Sequence, residues 1–155
     1  MNTDRIEKTT VLRAPRAIVW RALTTAEEFG TWFGARLTGA FVPGARVTGR
    51  ITIPGYDHLT IEMLIERVEP ECVLAYRWHP HAVEAGVDYS AEPMTLCEFT
   101  LEDAPEGTRL TIVESGFDRL PAARRDLAFR MNGEGWTAEL DNIARHVAGK
   151  TGGPP

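Results

Sequence analysis

Two side chains stand where they could move protons. Glu114 shares a strand face with Leu110 and Ile112, so an inward face would place its carboxyl among apolar groups, where desolvation raises its pKa and suits it to general acid or base work. The opposite register leaves it solvated, and that is the register expected. His58, beside Tyr56 and Asp57, could be an acid or base at a cavity mouth, or simply a turn residue in a polar loop. His79-Pro80-His81, with Glu84 and Asp88 nearby, offers metal-capable side chains, but the spacing is not a zinc pattern and the proline constrains both imidazoles, so no metal is expected. There is no G-x-S-x-G turn and no Gly-rich turn ahead of a Lys-Ser/Thr pair. Cys72 and Cys97 fall in predicted strands without C-x-x-C spacing and read as buried, reduced thiols. Two cysteines cannot hold a four-cysteine cluster, and with no dinucleotide fingerprint the oxidoreductase classes and their cofactors are excluded.

The elements that would position these residues begin at the C-terminal end. Phe129, Trp136, Leu140, Ile143 and Val147 recur at helical spacing, which places them within one stripe of an α-helix over Pro121–Ala148. Asp118 is a candidate cap and Gly149 suits the C′ position. A helix of that extent runs about 42 Å and must lie across something broad. Gly133 and Gly135 each cost it about 1 kcal/mol relative to Ala, which points to close packing, a kink or free space there. Leu127 and Met131 fall on the face opposite Trp136, through a bend, a different packing of the first half, or a surface for a second copy of the chain.

Ile6–Leu12 is a strand that stops at Ala14-Pro15. A short helix follows, and Thr25 with Glu28 forms a capping-box pattern that opens a second one. Phe29, Trp32 and Phe33 end this segment as an aromatic knot around Gly30 and Gly34. From there to Phe117 the period is two, with strands over Ala35–Phe41, Val47–Ile53, Leu59–Val68, Cys72–Trp78, Met94–Leu101 and Arg109–Gly116. His79–Pro93 has no period and is long for a hairpin, the length at which loops act as lids. The order predicts an α+β fold: about seven antiparallel strands, curved around one long C-terminal helix.

Composition narrows the partners. A 155-residue chain is expected to form one domain over residues 1–150, with the Gly/Pro-rich residues 151–155 as a frayed tail. Its 17 basic and 22 acidic residues give a net charge of −5, which disfavours nucleic acid, and Arg124-Arg125, the one adjacent basic pair, reads as a solvated helix face. The polar Met1–Lys8 segment and the lack of a long apolar run point to a cytoplasmic chain without a membrane partner.

The chain resembles the helix-grip fold of the START/Bet v 1-like (SRPBCC) superfamily. Within it the chain is similar to the activator of Hsp90 ATPase homologue 1-like family, in its bacterial single-domain branch. The resemblance rests on Ala14-Pro15, Val19-Trp20, Ala22-Leu23-Thr24, Trp32-Phe33, Pro43-Gly44, Val68-Glu69-Pro70, Tyr76-Arg77-Trp78, Gly107-Thr108-Arg109-Leu110, Glu114-Ser115-Gly116-Phe117 and Gly135-Trp136, and covers residues 5–148. It implies a deep apolar cavity between sheet and long helix, which different members use for lipids, aromatic polyketides or plant hormones.

Three functions follow from residues and resemblance together. The first is binding of a small hydrophobic or aromatic ligand, with Trp32, Phe33, Met63, Tyr76, Trp78, Phe99 and Trp136 as lining; the same side chains could instead fill a core. The second is a cyclase- or lyase-type enzyme using Glu114 or His58. The third is a chaperone-interacting module, by likeness to the Hsp90 activator. The first is the expected function.

Overall fold

The computed structural model describes residues 3–84 and 86–150, so the tail expected over 151–155 lies outside the described residues. Strand β1 (Arg5–Leu12) leads into helices α1 (Arg16–Thr24) and α2 (Ala26–Phe33). Strands β2 (Ala35–Thr38), β3 (Arg46–Ile51), β4 (Thr60–Glu69), β5 (Val73–Trp78), β6 (Thr95–Ala104) and β7 (Gly107–Ser115) follow, and helix α3 (Ala122–Lys150) ends the fold. All seven strands form one antiparallel sheet in the order β1-β7-β6-β5-β4-β3-β2. Pairing of each strand with the next makes β2 to β7 a meander, with the long 79–94 connection between β5 and β6, and β1 closes against β7. This is the expected α+β helix-grip arrangement.

Alternation decides which face of the sheet meets the helix. On β6, Cys97, Phe99 and Leu101 are buried and the residues between them are not; on β5, Leu74, Tyr76 and Trp78 are buried. Pairing aligns Tyr76 with Cys97, Cys97 with Glu114, and Glu114 with Ile6, so one row of inward side chains crosses four strands. A register shift between Ile65 and Arg67 bulges β4, the device by which a sheet bends.

Helix α3 buries Ala128, Trp136, Leu140, Ile143 and Val147 against this face. Phe129, expected in the stripe, is only half-buried and packs edge-on against Phe117, their centroids 5.4 Å apart. Leu127 and Met131 are exposed. Phe29 on α2 is the hub of the interior, with centroids 4.3 Å from Trp32, 5.7 Å from Phe41, 6.2 Å from Tyr76 and 6.4 Å from Phe99. Trp32 also donates its indole N–H to the Ala22 carbonyl at 2.9 Å, which ties α2 to α1.

Several local expectations are corrected. Thr25 does precede α2, but its hydroxyl donates back to the Arg21 carbonyl, and Glu28 instead meets His146 of α3 at 2.9 Å, so no capping box forms. Asp118 sits in a single 3-10 turn and accepts from Thr3; Pro121 accepts the first hydrogen bonds of α3. Gly149 lies inside α3 rather than beyond it. Cys72 is exposed, because the turn at Glu69–Cys72 precedes β5, and only Cys97 is buried.

Candidate functional site

Glu114 corrects the expectation of a solvated carboxylate: it is fully buried on β7. The register that carries Leu110 and Ile112 inward carries Glu114 with them. Its isolation is relieved by donors from three other elements. Trp78 Nε1 of β5 donates to Oε2 at 2.8 Å, and Thr95 Oγ1 of β6 donates to the same oxygen at 2.5 Å. Trp136 Nε1 of α3 donates to Oε1 at 2.8 Å, while Asn132 Nδ2 lies 2.9 Å from Oε1 and 3.1 Å from Oε2. Every group facing the carboxyl is a donor, the complement of an acceptor-only carboxylate. Glu114 therefore docks the long helix onto the sheet, and with both oxygens occupied by protein donors it offers no free lone pair to a substrate.

Beside this node the indoles of Trp78 and Trp136 stack with centroids 5.6 Å apart, and Phe33 packs on Trp78 at 5.8 Å. These three rings, with Asn132, Gly135 and Glu139, wall a recess of about 120 Å³ between sheet and helix. Gly135 is exposed, and a methyl group there would meet nothing within 4 Å. Glu139 is the ionisable group of the recess lining. Burial pushes its carboxyl up to about 7, and the hydrogen bond that Asn142 donates to it at 2.7 Å partly offsets this.

The recess shares Phe33, Trp78 and Asn132 with a wider, open pocket of about 620 Å³. The β3–β4 end supplies one wall through Ile51, Leu59 and Ile61, and the 79–93 loop supplies the other. Arg124 holds that loop against α3, which corrects its reading as a solvated side chain. Its guanidinium pairs with Glu92 at 2.8 Å, donates to the carbonyls of His81 at 2.9 Å and Pro80 at 3.1 Å, and lies 4.7 Å over the Tyr89 ring. His79 Nε2 meets the Glu92 carbonyl at 3.1 Å. Burial, and then the Arg124 charge, lowers the His81 pKa.

The structure divides the expected lining residues. Phe33, Trp78 and Trp136 line the recess, whereas Trp32, Met63, Tyr76 and Phe99 are buried in the core behind it. The Tyr76 hydroxyl is fully buried, and burial above all, with its neighbours Cys97, Glu114 and Glu139, raises its pKa well above the usual phenol range. Burial, then Glu114, also raises the Cys97 thiol. His58 is exposed and lines the wide pocket. Asn132, Glu139 and Thr95 are the site residues that sequence reading missed. A signal existed for two: Asn132, Trp136 and Glu139 are spaced four and three apart, so both polar residues ride the apolar stripe of α3. Among the described residues no group of three or more His, Cys, Asp or Glu is placed to hold a metal ion.

One long helix gripped by a curved antiparallel sheet, with a recess between them, defines the class of domain. The family model described as activator of Hsp90 ATPase homolog 1-like protein matches residues 13–148, and the chain belongs to that family. Among solved structures, a protein from Mesorhizobium loti superposes with a TM-score of 0.74 at 21% identity, over 93% of this chain and 96% of that one. The solution structure of the Aha1 dimer from Colwellia psychrerythraea superposes with a TM-score of 0.69 at 15% identity, over 92% and 95%. DynU16, a protein of the dynemicin biosynthetic locus, superposes with a TM-score of 0.71 at 25% identity over 94% of this chain, which spans 47% of DynU16. Comparison with curated proteins finds no match. No helix among the described residues is long and apolar enough to cross a membrane.

Proposed function

We propose that this protein binds a small apolar or aromatic molecule, which enters through the open pocket and seats its ring in the recess against Phe33, Trp78 and Trp136. The observation that carries this reading is the recess itself, walled by three aromatic side chains between the sheet and the long helix. The likeness to DynU16 agrees with a small-molecule role, as that protein belongs to a biosynthetic locus. Glu114 serves as the post on which the recess is built rather than as an acid or base. Native mass spectrometry of protein isolated from its own cells tests the reading. A co-purifying small molecule that is absent after Trp78→Ala supports it; a molecule retained by that variant, or none bound after exposure to an aromatic fragment library, refutes it.

Leu127 and Met131 are proposed as the contact for a second copy, on the support of the Colwellia dimer and the exposure of both side chains. Sedimentation as a monomer at high micromolar concentration would remove that proposal. The two unpaired thiols support a reducing, cytoplasmic setting.

A further inference from the structure

The recess and its vestibule are unequal in charge. Neither is lined by lysine or arginine among the described residues, whereas Glu139 stands in the recess and Glu62 and Glu84 stand at the mouth. Arg46 offsets Glu62 at 2.5 Å, so Glu139 and Glu84 are the acidic groups there with no cation paired to them in the structure. Arg124, which holds the 79–93 loop, has its donors taken up by Glu92 and two loop carbonyls. The other walls are Phe33, Trp78 and Trp136, whose indole N–H groups both go to Glu114 and so are not offered to a ligand. An apolar lining that holds a carboxylate and has its donors taken up by Glu114 favours a positive ligand and disfavours an anion.

Resting on the binding function proposed above, we infer that the ligand is a small organic cation: a protonated amine carried on an aromatic or apolar body, with its nitrogen at Glu139 and its body against Trp78 and Trp136. Glu139 is the only residue of the recess lining able to take a negative charge, and its Oε1 is held toward one geometry by the Asn142 amide at 2.7 Å. The groups facing it from the packed elements do not compete for the cation. The Tyr76 phenol of β5 is buried and pushed up, so it stays neutral. The Cys97 thiol of β6 is likewise pushed up. Glu114 of β7 is saturated by its donors, and Glu28 of α2 is engaged with His146 two turns further along α3. In the vestibule His58, His79, His81 and Tyr89 face the entry path, and the lowered pKa of His81 keeps it from opposing a cation near neutral pH. With the Glu139 carboxyl raised to about 7, a bound cation draws the proton off it, so binding strengthens as pH rises from 6 to 8.

Three probes of one shape separate the possibilities: phenethylamine, 2-phenylethanol and phenylacetate, titrated by calorimetry at pH 8. The inference predicts that the amine binds about tenfold or more tightly than the alcohol, with phenylacetate weakest. It also predicts proton release on amine binding at pH 7. In Glu139→Gln, shown folded by circular dichroism, the amine and alcohol converge. Should that variant fail to fold, the order of the probes and the pH trend in the wild-type protein decide alone. An alcohol that binds as tightly as the amine, or a preference that survives in folded Glu139→Gln, overturns the cation assignment and leaves the ligand pocket standing. Absence of binding by all three at millimolar concentration overturns both.

Discussion

Replacing Glu114 by glutamine changes one atom and asks whether the carboxylate docks α3. The wild-type side chain accepts from Trp78, Thr95, Asn132 and Trp136. A glutamine keeps one acceptor oxygen and turns the other into a donor. If its amide replaces Oε2, the Thr95 hydroxyl can rotate to accept, but Trp78 Nε1 carries a proton and cannot. If it replaces Oε1, Trp136 Nε1 is stranded instead. Either rotamer leaves a buried indole N–H facing an amide, a loss of about 1–3 kcal/mol, and the remaining bonds lose their charge assistance. Relief from burying a carboxylate opposes this, but four donors had already replaced its water. The expected net destabilisation of Glu114→Gln is about 3 kcal/mol, or about 6–12 °C in Tm for a chain of this length. Urea denaturation gives the first figure and calorimetry the second. A change under about 0.5 kcal/mol, or a gain in stability, would refute the docking role.

Three further outcomes follow from the same geometry. The Glu139 carboxyl sits at about 7 in the fold against an ordinary 4.5, so the folded state is favoured with that proton on. Its contribution is intact below pH 4.5 and is lost as pH rises to 7; with a discount for partial exposure this is about 2 kcal/mol, and thermal melts at pH 5 and pH 8 should show Glu139→Gln escaping that loss. Arg124→Ala should release the 79–93 loop, raising amide exchange there about tenfold while α3 is unchanged, and Arg124→Lys should not restore it because one ammonium cannot serve Glu92 and two carbonyls together. Gly135→Ala should stabilise the helix by about 1 kcal/mol, and Gly135→Leu should fill the recess and abolish probe binding while the protein stays folded.

Periodicity was enough for the frame. The alternation of β3 to β7 and the stripe of Trp136, Leu140, Ile143 and Val147 placed the strands and the long helix within a few residues, because each face is buried on one side only. What periodicity cannot supply is the partner of a polar atom. Glu114 was visible as a carboxylate on an apolar strand face, yet its burial depends on four donors drawn from β5, β6 and α3, up to 36 residues apart in sequence. Thr25 was a sound N-cap candidate, but its hydroxyl found the Arg21 carbonyl first and Glu28 was drawn off by His146. The aromatic residues were legible as a set; their split between core and recess depends on how α2 leans on the sheet, which spacing does not encode.

The central claim is an unfilled recess beside Trp78 and Trp136, and the four tryptophans carry their own control. Two-dimensional NMR of the indole N–H groups during titration with phenethylamine measures it directly. Shifts at Trp78 and Trp136, together with the Asn132 side-chain amide, and none at Trp20 or the core-bound Trp32, are the predicted result. Equal movement of all four indoles, or no movement at Trp78 and Trp136 at saturating probe, would contradict the account.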